Sequence, residues 1–414
     1  GSIDYEIVLE NGNKLIIKDG FFSKFPKEMA YLNLENLPSK VGFVKNDYAA
    51  EDNIPVVFGT DSLGVADDGI TTITCGIDIF ASSFFMLTRW EEYVNLNKDS
   101  HNRFPAYESV AYKNNFLDRP VVNEYVEMLW SMLTRLGVNQ QRKLRSFQTV
   151  LTHDVDIPLK YSSFMSCFKE ILGDVVKRKS MPLEMKHLTN KTKVVLSLET
   201  DPFDTFDFLM SVSEKLEVKS HFFFMGNGVT KFDNIYNSND PFIKKLVVKI
   251  KKRGHSIGIH PTYNAYNNQQ QFRKEKEELE KNLNTEILFG REHYLRFDVP
   301  TTWQVWEDNG MLWDSTVGFA DKEGFRCGTC YPYSVFNILS REKLQLKERP
   351  LIVMEGNFTT YQHHIKPKDM EHKIKVLINK VKKYDGEFVF LWHNSSFNTP
   401  QWERYQSVYE EVLT

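Results

Sequence analysis

Phe147-Gln148-Thr149-Val150-Leu151-Thr152-His153-Asp154-Val155-Asp156 is a largely apolar run that stops on two carboxylates set one residue apart. Phe147 to His153 has the pattern of a buried strand feeding a polar loop. Similar strand-like runs follow at Val194 to Leu198, His221 to Met225, Ser256 to His260, Tyr294 to Phe297, Leu351 to Met354 and Phe388 to His393. Helical patterns alternate with them at Thr205 to Leu216, Pro241 to Arg253, Gln269 to Leu283, Thr301 to Asn309 and Lys368 to Lys383. Thr399-Pro400, an N-cap residue and then Pro at N1, reads as the opening of a last helix. Strands alternating with helices in this way predict an α/β fold, a parallel (β/α) barrel whose chemistry gathers at the C-terminal ends of the strands.

Upstream, residues 3 to about 145 read differently. Glu6 to Leu9 and Lys14 to Ile17 are strand-like and separated by the turn signal Asn11-Gly12. Asp78 to Leu87, running on into Arg89 to Tyr93, and Val121 to Leu136 carry apolar residues at helical spacing, and the polar stretch Asn95 to Arg103 reads as a surface loop. The basic cluster Gln141 to Arg145 marks the boundary. This divides the chain into a smaller α+β accessory domain, 1–145, and the barrel, 146–414.

Composition narrows the classes. Hydrophobic residues make up 41% and charged residues 26% of 414, enough for a sizeable core. With 52 Lys+Arg against 55 Asp+Glu the net charge is −3, without the basic excess of a generic nucleic-acid binder. No apolar run approaches the ~20 residues of a membrane span. The first residues lack a basic and an apolar signal region, so a cytoplasmic location is expected, although Gly1-Ser2 resemble a cloning scar. The four cysteines do not make a disulfide scaffold, and Cys327-Gly328-Thr329-Cys330 is expected to be a pair of structural thiols.

Polar residues fall where a barrel mouth requires them: Asp154 and Asp156, His260 to Asn264, Arg296, Glu355, and His393-Asn394. The chemistry can be argued from the side chains. Of two carboxylates at a strand end, one can hold a cation and the other can act as a base; a divalent metal would keep Asp156 ionised and acidify water for Asp154 to deprotonate. His260 offers the nitrogen that zinc-like metals prefer. Arg296 would orient and hold the base ionised, and His393 would protonate a leaving nitrogen. The set suits metal-assisted hydrolysis of an amide.

In this order the residues resemble the polysaccharide deacetylases (carbohydrate esterase family four, or the chitooligosaccharide deacetylase homology domain). Leu151 to Asp156 resembles the first motif of that family, and Ser220 to Phe224 its "ATFF" core strand. Gly254 to His260 resembles "GHEIGNH", Leu295-Arg296-Phe297 the arginine motif, and Phe390 to His393 the closing motif. The resemblance covers 147–414. It implies a distorted seven-stranded (β/α) barrel that uses a divalent metal, zinc by preference, to remove acetyl groups from sugars, a hydrolysis of non-peptide C–N bonds. It also implies Asp154 as base, Asp156 and His260 as ligands and His393 as acid. The next ligand of the motif falls four residues after His260, at Asn264; solvent, His293, Glu355 or no ligand at all are the alternatives. Tyr263 and Trp392, which adjoin the motifs, are placed to stack on a sugar, with Glu355 as a further substrate contact. Gly76 to Phe80 and Arg89 to Tyr93 resemble a domain of Bacteroidetes deacetylase-like proteins. The partner expected is a carbohydrate substrate. A non-catalytic carbohydrate-binding relative and a hydrolase of another small amide are the alternatives. Of the remaining histidines, His153 reads as a support for the carboxylates, His255, after Arg253-Gly254, as the end of a helix or the cap of a turn, and His363-His364 as incidental.

Overall fold

The computed structural model describes residues 4–161, 200–228, 230–233, 236–362 and 365–414. Cys167, the strand expected at Val194 to Leu198 and the pair His363-His364 lie outside them. The turn at Asn11-Gly12 joins β1 (Tyr5–Val8) to β2 (Lys14–Ile17) in antiparallel register. Gly12 takes a φ of +85°, which its missing side chain permits. β3 (Gly42–Val44) pairs with β4 (Ile54–Val56), while β5 (Gly59–Asp67) and β6 (Thr71–Ile77) complete a four-stranded sheet in the order β1-β2-β6-β5. Asp78 Oδ1 accepts from the Ala81 N–H and so starts the helix Ile79–Thr88. Arg89 then turns left-handed, at φ +54°, and begins a second short helix, Trp90–Val94, so the one helical run expected here is two.

The large sheet contains β7 (Gln148–Val155), β8 (Ser220–Met225), β9 (Ser256–His260), β10 (Phe289–Gly290), β11 (Trp313–Asp314), β12 (Tyr333–Asn337), β13 (Glu342–Glu348), β14 (Val353–Met354) and β15 (Glu387–Leu391). Its order is β12-β13-β11-β10-β9-β8-β7-β15-β14, and every neighbouring pair is parallel except β12 on β13. β13 and β14 follow each other closely along the chain. Between them, Arg349 N–H donates to Asp314 O on β11 (2.8 Å) and Ile352 N–H to Val389 O on β15 (3.2 Å). One segment thus bonds to both ends of the parallel row, and the C-terminal ends of the strands share a mouth. At β10 the chains approach so closely that a Cβ on Gly290 would collide with the Ile259 carbonyl, so only glycine fits.

Helices cover the sheet where the apolar spacing puts them. Asp240 caps Pro241–Lys252 and Asn268 caps Gln269–Leu283, each through its side-chain oxygen. Phe206–Lys215, Thr301–Asp308 and Pro367–Lys383 follow their expected spans closely. Three expectations fail. Tyr294 to Phe297 is not a strand; the strand lies earlier, at Phe289–Gly290, and His293–Leu295 is a 3-10 turn. Thr399-Pro400 does not open the last helix, which runs Gln406–Glu411. The stretch Asn95 to Arg103 is not simply a surface loop, since Asn95 and Arg103 are buried.

The core explains why the N-terminal sheet domain stays attached. A single cluster of buried apolar side chains runs from Leu15 through Trp90 and Met128 into Phe222, Trp303 and Trp392. Full burial of each large apolar group contributes roughly 1.5–3 kcal/mol. Among the described residues no helix is long and apolar enough to cross a membrane.

Candidate metal centre

Because the strands are parallel, the residues that follow β7, β9, β10, β14 and β15 converge. Asp154 lies on the last turn of β7, and Asp156 just beyond it; His260 ends β9. β10 leads into Arg291-Glu292-His293, β14 into Glu355 and β15 into Trp392-His393. At the centre, Asp156 Oδ1 lies 3.2 Å from His260 Nε2 and 3.4 Å from His293 Nδ1, and the two ring nitrogens are 2.9 Å apart. Among the described residues this is the group of three ligand atoms that could hold a metal ion. Zinc bonds of about 2.0–2.2 Å in a tetrahedron put ligand atoms roughly 3.3 Å apart, so the spacing suits such an ion.

The far side of each ring decides which nitrogen is free. His260 Nδ1 is 2.7 Å from the Arg291 carbonyl and His293 Nε2 is 3.0 Å from the Phe232 carbonyl. A carbonyl only accepts, so these nitrogens carry the hydrogens and the opposite ones present lone pairs. His260 Nε2, His293 Nδ1 and Asp156 Oδ1 then face one another at one point, with the carboxylate oxygen 3.2 Å from the first ring and 3.4 Å from the second. Such a corner requires a positive charge. In the metal-free chain a proton answers: burial would lower His260, but Asp154 and Asp156 raise its pKa. Burial also opposes ionisation of Asp156, yet His293, His260 and His393 hold it well below the usual carboxylate range.

Two supported groups flank the corner. Asp154 is buried and accepts from Arg291 Nη1 at 2.9 Å; Arg291, fully buried, is fixed in turn by Thr152 Oγ1 and by both Ser315 oxygens. His393 Nε2 lies 3.6 Å from Asp156 Oδ2, while its Nδ1 meets Glu355 Oε1 at 2.5 Å. Burial would lower the His393 pKa, but Glu355 and the two aspartates outweigh it and hold it up at about 10. These groups border a cavity of about 360 Å³, which Phe232, Tyr294, Tyr361 and Trp402 line with aromatic surface.

Five residues singled out in the sequence meet here: Asp154, Asp156, His260, Glu355 and His393. Five do not take the places expected. Asn264 is exposed, and its Oδ1 accepts from Arg296 at 3.3 Å; His293, not Asn264, is the third member of the group that could hold a metal ion. Arg296 does not reach Asp154. Its guanidinium is held by the His101, Tyr263 and Asn264 oxygens between the rings of Tyr263 and Tyr266, and Arg291 holds Asp154. Tyr263 is buried, stacked on Phe232 with its hydroxyl on His101, and Trp392 is fully buried with Nε1 donating to Ser396 O. Neither lines the cavity; Trp402 and Tyr361 do. Glu355 lines it, but its Oε1 is engaged by His393 and Ser396. His153 bonds to Trp392 O and Ser220 Oγ in the core, not to the carboxylates. Cys327 and Cys330 are buried and unbridged, their thiols pushed up to about 12 by burial, which makes them unreactive.

Comparison with known proteins adds little to this geometry. Residues 3–137 match the model of DUF7033, a family of unknown function. No curated protein matches the chain. Solved structures similar to it include a presumed polysaccharide deacetylase of Mycobacterium smegmatis, at 14% identity and a TM-score of 0.42 over 66% of this chain and 85% of the other. The catalytic domain of a peptidoglycan N-acetylglucosamine deacetylase from Eubacterium rectale matches at 13% identity and 0.30 over 68% and 88%. A CE4 family pseudoenzyme of Bacillus anthracis matches at 11% and 0.31 over 64% and 60%.

Proposed function

We propose that this chain is a divalent-metal-dependent hydrolase that removes an acetyl group from an N-acetylated sugar of a glycan or glycan precursor, on a distorted seven-stranded (β/α) barrel. The observation that carries the reading is the convergence of Asp156, His260 and His293 lone pairs, with Asp154 and His393 on either side. Asp156, His260 and His293 would hold the cation, and two nitrogens with one carboxylate suit zinc. Bound there, such an ion supplies Lewis acidity toward a carbonyl oxygen and acidifies water.

The chain's own groups divide the proton work. Asp154, held in place by Arg291, takes a proton from the attacking water. His393, oriented by Glu355 and charged at neutral pH, returns one from Nε2 to the departing nitrogen. The products are acetate and a free amine. A sugar is favoured by the motifs that resemble the polysaccharide deacetylases and by the aromatic cavity lining, which suits the apolar faces of a pyranose.

Elemental analysis should find about one equivalent of metal per wild-type chain and none in Asp156→Ala or His260→Ala. The loaded protein should release acetate from N-acetylated glucosamine oligomers. No uptake after incubation with zinc, cobalt or nickel would overturn the mechanism; metal uptake with acetate released only from non-sugar amides would overturn the substrate.

A further inference from the structure

One of the residues that line the cavity, Arg103, comes from the N-terminal region. Asp99 to Arg103 closes on itself: Asp99 N–H donates to Arg103 O, and Asp99 Oδ1 accepts from the His101 and Arg103 N–H groups. From this small rigid loop Arg103 reaches the mouth, where it lines the cavity while only 5% exposed. Its Nε is fixed by Asp99 Oδ2 at 2.8 Å. Nη1 donates to Tyr294 O at 3.0 Å and Nη2 to the Tyr361 hydroxyl at 2.6 Å. Tyr294 and Tyr361 come from the exits of β10 and β14, so one guanidinium ties two cavity walls together.

The tie acts on a costly backbone. Tyr294 and Leu295 both adopt left-handed φ, +61° and +54°, which side chains with a Cβ avoid. His101 packs its ring 4.6 Å from that of Tyr294, and its carbonyl accepts from Arg296 Nε. The loop therefore holds the Tyr294 turn in place.

We infer that the Asp99–Arg103 loop of the N-terminal region is the substrate wall of this site, and that Arg103 is a positioning residue setting affinity for the sugar through Tyr294 and Tyr361. The inference rests on the reaction proposed above. The N-terminal region is then part of the site and not an accessory to it.

The test uses the full chain as wild type, Arg103→Ala, Arg103→Lys and Tyr361→Phe. Cobalt(II) affinity is read by calorimetry, and KM and kcat from acetate release with the N-acetylglucosamine disaccharide. Arg103→Ala should raise KM about tenfold or more, with kcat and cobalt affinity within about threefold of wild type. Arg103→Lys should recover part of the loss and Tyr361→Phe should show a smaller rise. If Arg103→Ala fails to fold, the two milder variants carry the test. An unchanged KM, or a loss of cobalt affinity in step with kcat, overturns the inference, because the loop would then be idle or would act on His293. If metal-loaded wild type releases no acetate, the reaction is overturned, and calorimetric binding of the same disaccharide decides the wall. Binding by wild type weakened about tenfold in Arg103→Ala supports it; no binding by wild type overturns it too.

Discussion

Glu92 and Asp156 are both carboxylates among cationic or cation-capable side chains, yet their surroundings differ in kind. Glu92 is enclosed between Arg89 and Arg326: Oε1 accepts from Arg89 Nε and Arg326 Nε at 2.8 Å each, and Oε2 accepts from Arg326 Nη2 at 2.5 Å. Glu91 joins the same cluster through Arg89 and the Val110 N–H, and burial, which would raise Glu92, is outweighed by the arginines, which hold it at about 2. Two acids meet two bases, and both Glu92 oxygens are engaged. Around Asp156 no guanidinium closes the cluster: His260 Nε2 and His293 Nδ1 face its Oδ1 at 3.2 and 3.4 Å, beside a cavity. Buried charge alone does not mark a site. Ligand atoms of metal-binding type that converge on one point beside a cavity do.

The sharpest way to break that comparison is to remove one member from each cluster. Glu92→Ala strands two guanidinium groups in the interior, so it should cost about 3–5 kcal/mol of stability by denaturant unfolding, and metal per folded chain should stay near the wild-type value. His260→Ala should show the reverse, with metal lost and stability of the metal-free protein little changed. If the two variants lose similar stability, the metal corner is a structural ion cluster like the other.

How far the sequence reveals this division depends on strand length. β7, β9, β14 and β15 end readable apolar runs, so Asp154, Asp156, His260, Glu355 and His393 stand out as the polar residues that follow. β10 is only Phe289–Gly290, too short for any period to show. The motif at Leu295-Arg296-Phe297 therefore points to Arg296, five residues beyond Arg291, and the spacing after His260 points to Asn264 where the fold brings His293. β13 carried a signal, with Leu344 and Leu346 alternating inward among charges, which its lysines and glutamates obscured. The approach of Arg103 to Tyr294 and Tyr361 had none, because contacts so distant in the chain leave no local pattern.

A smaller effect sharpens the contrast through pH. His393 is held at about 10 in the metal-free chain, above the ordinary ~6.5 of a histidine. A raised folded pKa contributes stability that is full below about 6.5 and lost as pH rises through about 10. Metal-free protein should therefore weaken across that window, and His393→Gln should flatten the slope while lowering kcat of the loaded enzyme by about 10²–10⁴. A cation at Asp156 offsets the carboxylate field that His393 feels, so zinc should move its ring titration, followed by NMR, to lower pH. A titration that stays put on metal addition would place the ion elsewhere.

The least effect is expected at Asn264. Its oxygen accepts only from Arg296, whose guanidinium keeps the His101 and Tyr263 carbonyls and the faces of two tyrosines without it. The side chain is exposed, so its loss buries no unpaired group. Asn264→Ala should thus leave cobalt affinity unchanged and kcat/KM within about threefold, whereas His293→Ala should lose the metal. Equal losses in both would return Asn264 to the ligand set and require the turn after β9 to rearrange when metal binds, since Arg296 and not the metal corner now holds that oxygen.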